Sequence, residues 1–109
     1  DTDSTIILDA FHNWNSNSTL EDLRQIPLKK ISHYHIDDAA CGKPPTTQKD
    51  PDRVMIGEGQ IDLKAEITVL KDIGYDKTVS LELFNPELWE QNPLDVISTG
   101  LARMKALFA

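Results

Sequence analysis

Residues 74–89 read GYDKTVSLELFNPELW, and they hold the end of one helix, a strand and the start of another helix. Gly74 suits the position just past a helix C-terminus, where a left-handed backbone costs glycine least. Residues 78–84 are dense in β-branched and apolar side chains and form the clearest strand of the chain. Asn85 followed by Pro86 marks a helix start: the amide can cap, and proline fits the first turn.

The same alternation continues outward. Asp62 is a plausible N-cap for a helix over 63–73, with Ile67, Leu70 and Ile73 as its apolar stripe. Residues 37–59 form a long loop containing Gly42, Pro44, Pro45, Pro51 and Gly57, and such loops are usually functional or mobile. Residues 30–36 read as a second strand and 5–9 as a first, buried one. Between those two lie a polar loop over 11–17 and a short helix. Ser18 and Glu21 form a capping-box pattern for that helix, Leu20, Leu23 and Ile26 give its apolar side, and Pro27 stops it. Past Asn85, a second Asn-Pro pair at Asn92 and Pro93 opens a last helix. Val96, Ile97, Leu101, Met104 and Leu107 or Phe108 form its stripe, which reads as core. The order β, α, β, α, β, α predicts a parallel sheet with right-handed helical crossovers.

Composition narrows the partners. The 109 residues carry a formal charge of −7, with 18 acidic against 11 basic side chains. That balance disfavours nucleic acid and anionic membrane surfaces. No apolar run approaches the roughly 20 residues of a membrane helix, and no basic leader precedes an apolar segment. Cys41 is the single cysteine; it cannot form an internal disulfide, and a reducing, cytoplasmic setting fits. The chain starts at Asp1, without Met, close to a strand, as a piece cut from a longer protein would.

Strand parity places the chemistry. Side chains alternate across a strand, so Ile7 and Asp9 share a face, as do His33, His35 and Asp37, and Ser80, Glu82 and Phe84. The opposite, apolar faces would pack on helices. Asp9, His35 and Glu82 then stand at or near the C-terminal ends of three successive strands, where parallel α/β folds place their sites. Two carboxylates and an imidazole suit Mn²⁺, Zn²⁺, Fe²⁺ or Co²⁺. A divalent cation would remove the repulsion between the acids. His33 lies deeper and reads as packing, and Asp37 and Asp38 as supporting or loop-capping groups. Glu58 reads as a turn or helix-start residue, Glu87 and Glu90 as a solvated helix face, and Trp89 as packing.

Four segments in order carry a family resemblance: LDAFHNW at 8–14, HIDDA at 35–39, DPDRVMIGEGQIDL at 50–63 and GYDKTVSLELFNPELW at 74–89. Together they resemble the last three βα units of the xylose isomerase-like TIM barrels, also called the AP endonuclease family 2 barrels. Within that family the likeness is nearest to the inosose (2-keto-myo-inositol) isomerases and related sugar epimerases. The family usually has proline where Ile56 stands here.

The resemblance implies that residues 1–109 are the C-terminal part, strands six to eight, of one (β/α)8 barrel domain. Strands one to five, and a ligand Glu on the fifth, would then lie outside the chain. It implies Asp9, His35 and Glu82 as metal ligands and Glu82 as a group that moves the substrate proton. His12 and Arg53 would contact substrate oxygens, although a solvated loop charge is an equal reading of Arg53. Trp14 is a candidate wall for a sugar. The implied activity is that of a divalent-metal-dependent sugar or cyclitol isomerase or epimerase working through an enediolate. The alternatives are a dehydratase of the same superfamily and a non-catalytic fragment; a DNA endonuclease is disfavoured by the acidic balance. A fragment lacking the rest of the barrel would be inactive alone.

Overall fold

The computed structural model describes residues 2–109. The main sheet has three strands, β1 (Ile6–Asp9), β2 (Ile31–Ile36) and β5 (Val79–Leu81), in the order β1-β2-β5. Both pairings are parallel, so sequential strands are neighbours, as the alternation predicts. The strands are shorter than their apolar runs. Among the described residues β5 pairs with β2 alone, and its regular ladder ends where Leu81 meets Ile36. One further bond, from the Glu82 N–H to the Ile36 carbonyl at 3.2 Å, extends the line to Glu82.

Two local readings need correction. The expected polar loop after β1 is a helix, α1 (Ala10–Asn15), because Asp9 caps it: its carboxylate accepts the His12 N–H. The next helix, α2 (Leu20–Gln25), is capped one residue later than Ser18. Thr19 accepts from the Asp22 N–H, and the Asp22 carboxylate accepts from both the N–H and the hydroxyl of Thr19. An Asp at the third helical position thus closes the capping box that Glu21 was expected to close.

The long loop is built rather than slack. It contains an antiparallel ladder between β3 (Asp38–Ala39) and β4 (Arg53–Val54). Asp38 is buried, and its carboxylate accepts backbone N–H bonds from Ala39, Gly57, Gly59 and Ile61. One side chain therefore satisfies buried and part-buried amides of a segment that has almost no ladder of its own. The loop then enters α3 (Leu63–Asp72), which Asp62 caps as expected. Gly74, at φ 83°, ends it. The bonds Gly74 N–H to Lys71 O and Tyr75 N–H to Leu70 O are those of a Schellman motif.

Parity holds. Leu8, Tyr34 and Ile36 are buried in one cluster with Leu23 of α2 and Leu63, Ile67 and Leu70 of α3. The other face of the sheet carries Asp9, His33, His35 and Ser80. Beyond β5 lie α4 (Pro86–Trp89) and α5 (Pro93–Phe108), capped by Asn85 and Asn92. Only part of the α5 stripe is core: Met104, Leu107 and Phe108 pack inward, whereas Ile97 is 62% exposed. Trp89, read as packing, is 63% exposed, and its indole N–H reaches the Leu83 carbonyl at 3.4 Å. Glu58 pairs with Arg103 at 3.0 Å across the loop and α5.

Gly59 tests the loop. A Cβ there would collide with the Asp38 carboxylate and the Ala39 carbonyl. Neither can yield without releasing the amides that Asp38 holds. Gly59→Ala should cost about 1–3 kcal/mol, the range for overpacking a tight site. A denaturation midpoint equal to the parent's would show that the loop is not pinned at this point.

Candidate metal centre

Asp9 ends β1 and caps α1, and its two oxygens divide the work. Oδ1 accepts the His12 N–H at 3.0 Å. Oδ2 faces the His35 Nδ1 at 3.6 Å. His35 is the register partner of Asp9 across the β1–β2 ladder, so the sheet itself sets their spacing. Glu82, just past β5, brings Oε2 to 2.9 Å from the same His35 nitrogen. One donor atom from each of these residues lies within 4.8 Å of the others. Bonds of 2.0–2.2 Å to a tetrahedral ion require donors about 3.3–3.6 Å apart. The two carboxylates and the imidazole fit a divalent cation in spacing and in donor chemistry.

Arg53 enters this cluster from β4. It is 1% exposed, so the solvated-loop reading is overturned. Nη1 meets Asp37 at 2.7 Å, Glu82 at 3.1 Å and Asp9 at 3.2 Å. Nη2 meets Asp50 at 2.9 Å and the His12 Nε2 at 3.1 Å. A guanidinium has no acceptor, so His12 accepts there through an unprotonated Nε2. The Phe11 and Phe84 rings lie 5.0 and 5.1 Å from the guanidinium carbon, within cation–π range. Burial works against the Arg53 charge, but Asp37, Asp9 and Asp50 outweigh it and push its pKa upward.

Asp37 is wholly buried. Burial first, then the neighbouring Asp9 carboxylate, raises it to about 8, against the pull of Arg53 and the Phe11 N–H. Four carboxylates, those of Asp9, Asp37, Asp50 and Glu82, meet this one guanidinium, and a divalent cation is a group that relieves such crowding of acids.

The remaining candidates fall at different distances from this point. His12 is exposed and reaches the cluster through Arg53. His33 sits below His35, its ring edge-on at 5.1 Å, and its Nε2 lies 2.8 Å from the Ser80 hydroxyl. Trp14 packs beside Phe11 and lines a groove of about 220 Å³ with Asn13, Leu23, Ile61 and Glu66. Asp9, His35 and Glu82 do not line that groove.

Sequence reasoning missed the Asp37–Arg53 pair and the buried Glu66, which accepts from the Asn13 amide at 2.7 Å. A signal existed for each. Asp37 shares the face of His35, and Glu66 interrupts the buried stripe of α3 between Leu63 and Ile67.

Comparison with known proteins places the geometry in context. A family model described as xylose isomerase-like TIM barrel matches residues 3–107. An inosose isomerase of Bacillus licheniformis is 44% identical over 95 residues, covering 87% of this chain and 34% of that protein. The inosose isomerase of Bacillus subtilis strain 168 is 43% identical with the same coverage. The chain therefore spans about a third of the length of these relatives. Among solved structures, the IolI protein with a bound zinc atom superposes with a TM-score of 0.88 at 38% identity, over 95% of this chain and 37% of that one. A xylose isomerase domain protein of Salmonella typhimurium LT2 matches at a TM-score of 0.84 and 18% identity, over 96% and 39% of the two chains; it speaks for the fold alone.

Glu66 offers an electrostatic test that leaves the cluster intact. Burial raises its pKa, so the folded state binds its proton more tightly than the unfolded chain does. Its contribution to stability is greatest below the ordinary Glu range and is lost as pH rises through the raised value. Glu66→Gln keeps an acceptor for Asn13 and removes the titration. The variant should be more stable than the parent at pH 7, with the gain fading by about pH 4. Urea midpoints at the two pH values read the difference, and an equal shift at both would contradict it.

Proposed function

The chain belongs to the xylose isomerase-like TIM barrel family, and on that premise we propose that it is the C-terminal portion of a divalent-metal-dependent sugar or cyclitol isomerase or epimerase. Residues 1–109 would supply strands six to eight of one (β/α)8 domain. The observation that carries the reading is the convergence of Asp9, His35 and Glu82 at the C-terminal ends of three parallel strands. The inosose isomerase relatives and the zinc in a solved neighbour support it. A keto-cyclitol or related ketose is the substrate class, and the protein works in the cytoplasm. Among the described residues no helix is long and apolar enough to cross a membrane.

Asp9, His35 and Glu82 would hold the ion, with Zn²⁺, Mn²⁺, Co²⁺ and Fe²⁺ all compatible with the donor set. A bound divalent cation supplies Lewis-acid stabilisation of the charge that develops on substrate oxygens as the enediolate forms. The chain's own residues do the rest. Of the two ligand carboxylates Glu82 is the less enclosed, with about a third of its side chain exposed. It accepts the carbon-bound proton, and a carboxylate from another part of the barrel returns it. Arg53 offers a fixed positive charge, and His12 a ring nitrogen, to the substrate oxygens. Trp14, which lines a groove that the three ligands do not, is given no part in the chemistry. Asp9 fixes the start of α1 through Oδ1 and leaves Oδ2 for the ion.

Two substitutions separate these roles in the complete protein. Glu82→Gln removes a base while conserving shape, and it should slow solvent-deuterium incorporation into a keto-cyclitol by about 10²–10⁴-fold, the usual worth of general acid–base catalysis. Parental exchange in that variant would exclude Glu82 as the base, and a product that has lost water would replace isomerisation by dehydration. Asp9→Asn should leave the fold intact, because Asn caps helices as well as Asp. Its zinc affinity, followed by calorimetry, should fall by at least about tenfold, as loss of a charged ligand from a small donor set requires. Parental affinity would mean that Asp9 is a cap only.

A further inference from the structure

We propose that Asp37 is the positioning residue of this site: without touching ion or substrate, it fixes both Arg53 and the first turn of α1. The inference rests on the functional reading above and adds a residue to it. Asp37 follows β2 by one position and is wholly buried. Its two oxygens have different partners. Oδ1 accepts the Phe11 N–H at 2.8 Å, and Oδ2 accepts from the Arg53 Nη1 at 2.7 Å.

The Arg53 Nη1 carries two hydrogens yet meets three carboxylates, so its contacts are oversubscribed. The shortest is to Asp37; those to Glu82 and Asp9 are 3.1 and 3.2 Å. The two longer contacts are to the candidate ion ligands. When those carboxylates turn to a cation, Asp37 is the partner that keeps Nη1 in place, while Asp50 holds Nη2.

The Phe11 bond extends the effect. Phe11 precedes His12 and lays its ring against the Arg53 guanidinium. By holding the Phe11 amide, Asp37 sets the entry of α1, and with it the position of the His12 ring that accepts from Arg53. One carboxylate thus aligns the two groups assigned to substrate oxygens, and neither belongs to the ligand set.

The test is Asp37→Asn in the complete zinc-loaded protein. The amide oxygen can still accept from Phe11, but an NH₂ group then faces the guanidinium. KM for a keto-cyclitol should rise about 10–100-fold, as for loss of an outer-shell partner. kcat should change by less than about threefold, because the binding that is weakened is common to the bound substrate and the transition state. Zinc stoichiometry should stay at the parental value. The Arg53 guanidinium resonances, slowly exchanging in the parent by NMR, should broaden. An unchanged KM, or loss of zinc with unaltered Arg53 resonances, would overturn the proposal.

If the parent protein turns over no keto-cyclitol, the functional reading fails, yet the Arg53 resonances still decide the role of Asp37. Should the single variant not fold, because it strands a buried cation, Asp37→Asn in an Arg53→Gln background gives a neutral pair. There the extra loss should be under about twofold, since coupled residues are non-additive. A full further loss in that background would show that Asp37 does not act through Arg53.

Discussion

A positive charge held out of water is the constraint on which the site depends. Arg53 arrives on a loop strand of two residues, yet its guanidinium is buried among carboxylates from four different segments. Taking that charge from water costs several kcal/mol unless acceptors surround it. Here the acceptors come from strand ends (Asp9, Asp37 and Glu82), from the loop (Asp50) and from α1 (His12), and two aromatic rings lie within cation–π range. Asp9, Asp37 and Glu82 would repel one another without it. The cation and the anions therefore define each other's positions.

Such an arrangement needs the loop to be rigid, and that requirement falls on Asp38. Ladder bonds cover only two residues on each side of the β3–β4 pair. The amides around Gly57 and Gly59 are satisfied by a carboxylate instead. A charged acceptor bonding several N–H groups is stronger than neutral pairs would be. The sequence places this acceptor next to Asp37, on the opposite side of the backbone. Adjacent aspartates thus divide the labour, one facing the cluster and the other the loop.

How much of this is legible in the sequence follows from the range of each interaction. The helix-facing side of the sheet follows from period-two alternation, which is local, and the positions of Leu8, Tyr34 and Ile36 agree with it. So do the caps at Asp62, Asn85 and Asn92, since a cap acts within one turn. The same parity brings Asp9, His35 and Glu82 to one face, and the resemblance to a family adds their order along a barrel. The α1 helix escaped because Asp9 was weighed as a ligand and not also as a cap. The burial of Arg53 escaped because it depends on contacts with residues 16 to 44 positions away, and no window of local pattern contains them. Ile97 and Trp89 failed in the other sense: apolar character at helical spacing does not say whether a partner surface is present.

That last point bears on the domain proposal. A sheet of three strands can be covered by helices on one face, and here the covered face is the apolar one. The other face carries the site, and Ile7, on that same face by parity, is 59% exposed. On α5, Leu94, Ile97 and Leu101 are similarly open. Clustered open apolar positions of this kind mark surfaces that meet other protein, and the unpaired edges of β1 and β5 are where further strands would add. Closing the sheet into a barrel would turn the open face inward. Glu82 would then lose solvent, and the field between carboxylates, guanidinium and any bound ion would strengthen as the local dielectric falls. A base and its electrostatic partners are more effective in that setting than on an open sheet. The exposure of Ile7 and the placement of the candidate ligands thus argue for the same thing, a site completed by strands that add at the edges and curl around this face.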